Sequence, residues 1–358
     1  MFLGAISFIF AISILVIVHE FGHLIFAKAF GMEVKEFSIG FGKPALSVTI
    51  GGTKYSIRPI LFGGYVNIAE MEMDAEAWRE GKGFMQRPLY QRIAVLFAGS
   101  LMNFILAIVI FGCLGIFIGK TIGVTNKIER ILPNSPAAIA GLREGDEIIA
   151  VGKLESNKVE KLREEIEKYP GNPVVIKVRR NGQILSFIVV PKAEQTYRRV
   201  KGGKIEKVVV GRIGILFQSI TQKMSFGEAV WTGLRDTYYL TRLVIAYPYL
   251  AATKKVPVEV GGPLAVAKIT GEGAQLGFSV LMERIAMISV NLAVFNLFPI
   301  PGLDGGILFI MIINSVYALI FRRNIDYRKI VLANTIGIAL LLGLLAILTI
   351  FDIRRFFQ

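Results

Sequence analysis

The chain has little of what a soluble domain depends on. Its single cysteine, Cys113, excludes a disulfide framework and a cysteine-based metal knuckle, and its place inside an apolar run reads as packing. Charged residues are only 19% of the 358, against 53% hydrophobic, and mean hydropathy is +0.57, so most of the chain belongs in a bilayer. Acidic residues are the scarcer sign, 27 against 41 basic, for a formal charge of +14. The basic residues are spread over loops rather than massed in one stripe, which favours anionic lipid headgroups over nucleic acid as the counter-charge. No basic residue precedes the first apolar run, and that run continues directly into the only two histidines, so it is expected to be a retained span and not a cleaved signal peptide.

Four regions are apolar and long enough to cross a bilayer, for which about twenty residues suffice: 2–26, 93–118, 285–320 and 330–351. The third breaks at Phe298-Pro299-Ile300-Pro301-Gly302, where the prolines remove backbone donors; irregular backbone at membrane depth is tolerated only where protein covers it or a wet cavity adjoins it. Lys28, Lys35, Lys43, Arg87 and Arg92 follow the first span, and Arg322, Arg323, Arg328 and Lys329 join the last two, which places both loops in the cytoplasm. The amino terminus, the segment from Lys120 to about Met282 and the tail are then outside, with Arg354 and Arg355 in mild disagreement. The expected fold is a polytopic α-helical membrane protein of about four transmembrane helices, the third broken, with a cytoplasmic-side β-hairpin and an inserted small α+β domain.

The hairpin is read from period-two patterning in Val34–Ile39, Leu46–Ile50 and Tyr55–Arg58 around a Gly51-Gly52 turn. It is either a plain structural element or an edge for pairing an unwound peptide. Further on, strands are expected at Ile128–Leu132, Glu147–Val151, Val174–Arg179 and Leu185–Val190, with an Asn181-Gly182 turn and a charged helix over 158–169. Within this stretch Pro133-Asn134-Ser135-Pro136-Ala137-Ala138 and Ala140-Gly141-Leu142-Arg143-Glu144-Gly145-Asp146 resemble the bacterial PDZ pattern, which implies a groove for an extended peptide or carboxyl terminus, or else steric gating. The divisions expected are 1–119 for the first two spans and hairpin, 120–195 for the PDZ domain, 196–280 for a linker and membrane-surface helix, and 281–358 for the remaining spans. The linker is the Lys-, Arg- and Gly-rich stretch 197–207; the helix carries Glu228, Arg235 and Arg242 at seven-residue intervals and ends near Pro248.

Chemistry is concentrated in His19-Glu20-Phe21-Gly22-His23. Histidines at i and i+4 leave one helix face a turn apart, able to reach one Zn2+ ion, with Glu20 between them as a general base. Catalytic zinc sites take three protein ligands, and no further histidine exists, so the third is a carboxylate. Asp304 is the strongest choice: it follows the Pro-Ile-Pro-Gly break within apolar sequence, where an unpaired carboxylate is costly, although it could instead cap the helix beginning near Gly305. Asn296, another polar group at that depth, either bonds substrate backbone or links helices.

The His19–His23 motif, Phe41-Gly42-Lys43-Pro44, Ala98-Gly99-Ser100-Leu101-Met102-Asn103-Phe104, Gly261-Gly262-Pro263 and the run from Asn296 to Gly306 together resemble the bacterial site-2 protease family, with one PDZ domain. That resemblance implies an intramembrane zinc metalloprotease of the bacterial cytoplasmic membrane. It would cut the transmembrane segment of single-span proteins, such as anti-sigma factors and remnant signal peptides, after another protease has trimmed them. It assigns His19, His23 and Asp304 as metal ligands, Glu20 as base and Asn296 as a substrate contact. Ile307 and Ser100 depart from residues frequent in the family, His and Pro respectively. A divalent-metal transporter would also use intramembrane His and Asp, and a catalytically silent PDZ receptor would use the outer domain, but each leaves Glu20 without a role.

Overall fold

The computed structural model describes residues 2–69, 83–199, 205–253, 261–323, 325 and 327–356. The chain forms two compact units, one of 1–112, 230–245 and 260–358, the other of 113–229 and 246–259.

The first unit is a helical assembly carrying one sheet. Helix α1 (Phe2–Ala29) is followed by strands β1 (Val34–Phe41), β2 (Leu46–Ile50), β3 (Thr53–Ile57) and β4 (Ile60–Ile68), then by α2 (Leu89–Phe117). The expected hairpin is real as β2–β3, turning at Gly51-Gly52, but it is only part of a four-stranded sheet ordered β2-β3-β1-β4. Strand β3 pairs parallel with β1, and β4 pairs antiparallel with it, Val66 standing opposite Phe37. The sequence reading missed β4 because Ile60-Leu61-Phe62-Gly63-Gly64 is continuously apolar and then glycine-rich, with no alternation to betray a strand. Tertiary contact explains it: β4 lies along α1, with Phe8 and Phe62 rings 5.9 Å apart, Ser13 Oγ donating to Leu61 O at 2.7 Å, and Val16 facing Gly63. Inside the sheet, burial would raise the Glu36 carboxyl, but hydrogen bonds from Ser56, Arg58 and Tyr65 outweigh it and hold its pKa down at about 2.

The second unit begins at the end of α2. It contains β5 (Lys120–Ile131), α3 (Pro136–Ile139), β6 (Glu147–Val151), β7 (Leu154–Glu155), α4 (Val159–Glu167), β8 (Val174–Arg180), β9 (Gln183–Val189), β10 (Lys192–Arg199), β11 (Ile205–Arg212) and β12 (Ile215–Gln222). Its main sheet runs β12-β5-β6-β8-β9, with β7 on β6, over a core of Ile128, Ile148, Leu162, Ile176, Val178 and Phe217. Val159, Leu162 and Ile166 supply the buried stripe of α4 at helical spacing. The linker expected over 197–207 is corrected: its described residues belong to the antiparallel β10–β11 pair, and residues 200–204 lie outside the described residues. Composition pointed to a loop, whereas an unbroken ladder from Lys192↔Arg212 to Arg199↔Ile205 satisfies the backbone.

Helix α5 (Phe226–Ala252) starts at a capping box, Ser225 with Glu228, and runs past Pro248 to Ala252. Pro248 was expected to end it; so near the carboxyl end, the ring costs only hydrogen bonding close to the last turn. Helix α5 packs on α2 at Gly233, where an added Cβ would lie 2.5 Å from the Ile108 carbonyl oxygen. The first unit closes with α6 (Pro263–Leu276), α7 (Phe278–Leu297), α8 (Asp304–Phe321) and α9 (Tyr327–Phe356). The single broken span expected over 285–320 is resolved into α7 and α8, separated by Phe298–Leu303, and five helices among the described residues are long and apolar enough to cross a membrane. Cys113, expected as packing, is exposed.

Buried apolar contacts tie α1 to α7 through Ala11, Leu15, Leu281 and Ile285, and α2 to α7 through Ala107, Ala286, Val290 and Val294. Helices α1 and α2 approach closely at Gly22, where any Cβ would lie 2.3 Å from the Ala98 carbonyl oxygen.

In the second unit, Asp146 is 1% exposed and accepts from Arg180 Nε at 2.7 Å, Arg180 Nη2 at 2.8 Å and Arg143 N–H at 2.8 Å. Burial raises its pKa, but these partners overcome that and leave it below the ordinary carboxylate range. Its contribution is therefore present above that range and fades only as the pH falls beneath it. Asp146→Ala should destabilise this unit by about 2–4 kcal/mol, seen as faster amide hydrogen exchange in β6 and β8. Unchanged exchange there would contradict the assignment.

Candidate metal centre

Helix α1 presents His19 and His23 on one face, and both are buried, at 7% and 3% exposure. Their Nε2 atoms stand 3.2 Å apart. Asp304, the first residue of α8, brings Oδ2 to 3.0 Å from His19 Nε2 and 3.3 Å from His23 Nε2. Among the described residues these three form the one cluster of His, Cys, Asp or Glu with ligand atoms suited to a metal ion. Two ring nitrogens and a carboxylate oxygen thus converge on one point. The alternative reading of Asp304 as a helix cap is not what the side chain does: the cap position of α8 is Leu303, and the Asp304 carboxylate is turned to the histidines.

His23 is prepared to donate a lone pair. Its Nδ1 lies 2.7 Å from the Val95 carbonyl, which can only accept, so Nδ1 carries the proton and Nε2 is left free toward the centre. Glu20 lines the same cavity, of about 220 Å3, together with Val16, His19, Leu292, Asn296, Gly302, Leu303 and Asp304. One Glu20 oxygen accepts from Val66 N–H of β4 at 3.0 Å, which fixes the carboxylate beside the histidines. Asn296 places Nδ2 at 3.5 Å from His19 Nδ1 and 3.4 Å from its Nε2. All five residues singled out from the sequence are therefore gathered in one place.

Glycines make room for this arrangement or support it, and among them Gly99 and Gly337 are ones that sequence reasoning passed over. Gly99 is the clearest: a Cβ there would lie 2.5 Å from His23 Nε2 and 2.7 Å from His19 Nε2, inside the space the ligands face. Gly302, at φ +93°, takes a backbone conformation that favours glycine, and its N–H donates to Asn334 Oδ1 of α9 at 3.0 Å. Gly337 of α9 leaves room for Pro301, which a Cβ would meet at 2.1 Å. Cβ atoms at Gly305 and Gly306 would lie 2.3 Å and 2.1 Å from the carbonyl oxygens of Phe298 and Ile300, so this turn into α8 tolerates no side chain at either position.

A histidine pair one turn apart, a distant carboxylate completing the triangle and an adjacent glutamate, all among apolar helices, define the arrangement of a metal-dependent hydrolase in a membrane protein. The family comparison agrees: residues 7–344 match the model of peptidase family M50, and the chain belongs to that family. It is 32% identical over 96% of its length to a putative zinc metalloprotease of Clostridium perfringens, itself covered over 96%. It is 29% identical to the zinc metalloprotease RasP of Oceanobacillus iheyensis and 29% identical to a probable protease, eep, of Enterococcus faecalis, with 98% of this chain and 99% of the relative covered in each case.

The geometry makes a sharp demand at Gly99. Gly99→Ala is expected to abolish peptidase activity in purified enzyme while leaving helical circular dichroism intact, because its methyl group would occupy the space between the two rings. Activity within about threefold of wild type would contradict this placement.

Proposed function

We propose that the chain is a zinc-dependent intramembrane protease that hydrolyses a peptide bond within the transmembrane segment of single-span membrane proteins. Anti-sigma factors and remnant signal peptides, already trimmed by another protease, are the substrates this reading favours. The observation that carries it is the triangle of His19, His23 and Asp304, with sides of 3.2, 3.0 and 3.3 Å. Two imidazoles and a carboxylate held around one tetrahedral zinc ion at about 2.0–2.1 Å would stand roughly 3.3–3.4 Å from one another, so the donor set fits in kind and spacing. His19, His23 and Asp304 would hold the ion, which when bound supplies Lewis acidity that makes water nucleophilic near neutral pH and polarises a carbonyl.

The remaining work falls to this chain's own groups. Glu20, steadied by Val66 N–H, takes the proton from the attacking water and returns it to the departing amine. Asn296 offers an amide N–H to the substrate backbone from the wall of the cavity. A transmembrane helix satisfies its own backbone, so a scissile carbonyl becomes available only after local unwinding, and the freed groups need partners. Strand β4, an edge of its sheet beside Glu20, is where an unwound segment would pair.

The same reading places the enzyme in the bacterial cytoplasmic membrane, with the active site toward the cytoplasm, as supported by Lys28, Arg87 and Arg92 around the connection between α1 and α2. The second unit is then an outer PDZ domain whose groove takes an extended peptide or a newly made carboxyl terminus. Its five-stranded main path ends in β12, an edge strand of the kind such peptides extend.

Glu20→Gln should lower cleavage of a single-span substrate by about 10²–10⁴-fold while zinc content stays near that of wild type. Asp304→Asn should lose zinc and activity together. Cleavage by Glu20→Gln at the wild-type rate would defeat the proposed mechanism.

A further inference from the structure

Taking the zinc reading above as given, we infer that Asn103 is a positioning residue that orients His19 for coordination by accepting a hydrogen bond from its Nδ1–H through the side-chain oxygen. A ligating imidazole needs its second nitrogen protonated and held by an acceptor, which fixes both tautomer and ring direction. His23 meets this need with the Val95 carbonyl. His19 has no such carbonyl; the groups facing its Nδ1 among the described residues are two carboxamides, Asn103 and Asn296, each with Nδ2 at 3.5 Å.

Two donors pointed at one ring nitrogen cannot both be satisfied when that nitrogen must itself carry a proton. Asn103 resolves the conflict. It is fully buried, at 0% exposure, and its Oδ1 has no hydrogen-bond partner among the described residues. The two ends of a carboxamide have nearly the same shape, so a half-turn about the last torsion brings Oδ1 to His19 Nδ1 within the same space. That exchange gives an orphaned acceptor a donor and gives His19 the support His23 already has. Asn296 has no comparably stranded oxygen and lines the cavity, where its amide stays available to substrate. Asn103 is itself anchored, since Ser289 Oγ of α7 donates to its backbone carbonyl at 2.7 Å.

The test is the zinc affinity of the purified full chain in detergent, by competition with a chelating dye, for wild type, Asn103→Leu and Asn103→Asp. Loss of the acceptor in Asn103→Leu should weaken binding about 10–100-fold, whereas Asn103→Asp, which keeps an acceptor and no donor, should stay within about threefold of wild type. A second readout is the ¹⁵N spectrum of histidine-labelled, zinc-loaded enzyme, which is simple because the chain has two histidines. The His19 Nδ1–H signal should persist in Asn103→Asp and shift in Asn103→Leu, with the His23 signal unmoved. Asn103→Leu binding zinc as wild type does, or Asn103→Asp losing zinc and the His19 signal, overturns the inference. Should Asn103→Leu fail to fold, the Asp variant alone decides. Wild type that binds no zinc would instead remove the reading on which the inference rests.

Discussion

One constraint organises the first unit: a carboxylate and two imidazoles are gathered among apolar helices, where none of them is stable without a partner. Asp304 cannot reach His19 and His23 unless α8 begins beside α1, and α8 can begin there only because Gly305 and Gly306 let the chain turn against its own carbonyls. From the other side, α9 seats that turn through Asn334 and Gly337. Helix α2 approaches at Gly22 and leaves an open space at Gly99. Each of these is a close approach of backbone to backbone or of backbone to ligand, which small residues permit and which membrane helices use in place of a hydrophobic driving force.

The sheet has a related task. Strand β4, an edge of its sheet, is tied to the cluster by a direct bond from Val66 N–H to Glu20. Strand and carboxylate are therefore positioned together. The second unit has a core of its own around Ile148, Leu162 and Ile176.

Much of the site could be read from the chain alone, because its residue types are costly in apolar sequence and their spacing is chemically meaningful. His19, Glu20, His23, Asp304 and Asn296 stand out for that reason. Gly99 and Asn103 did not, although both lie in a motif that was noticed: the value of Gly99 is the side chain it lacks, and that of Asn103 depends on a helix crossing no local pattern encodes. Strand β4 was hidden by glycines and an unbroken apolar run, and β10–β11 by a composition that mimics a linker. In α5 the proline at 248 reads as a terminator only when its distance from the true helix end is unknown.

The central claim is that a single cation sits among two histidines of α1 and one aspartate of α8. X-ray absorption at the zinc edge of the purified enzyme tests it most directly. The account predicts one zinc per chain with two imidazole nitrogens and oxygen as its remaining donors, at about 2.0–2.1 Å. Absence of zinc, or a shell containing sulfur or only one imidazole, would contradict it.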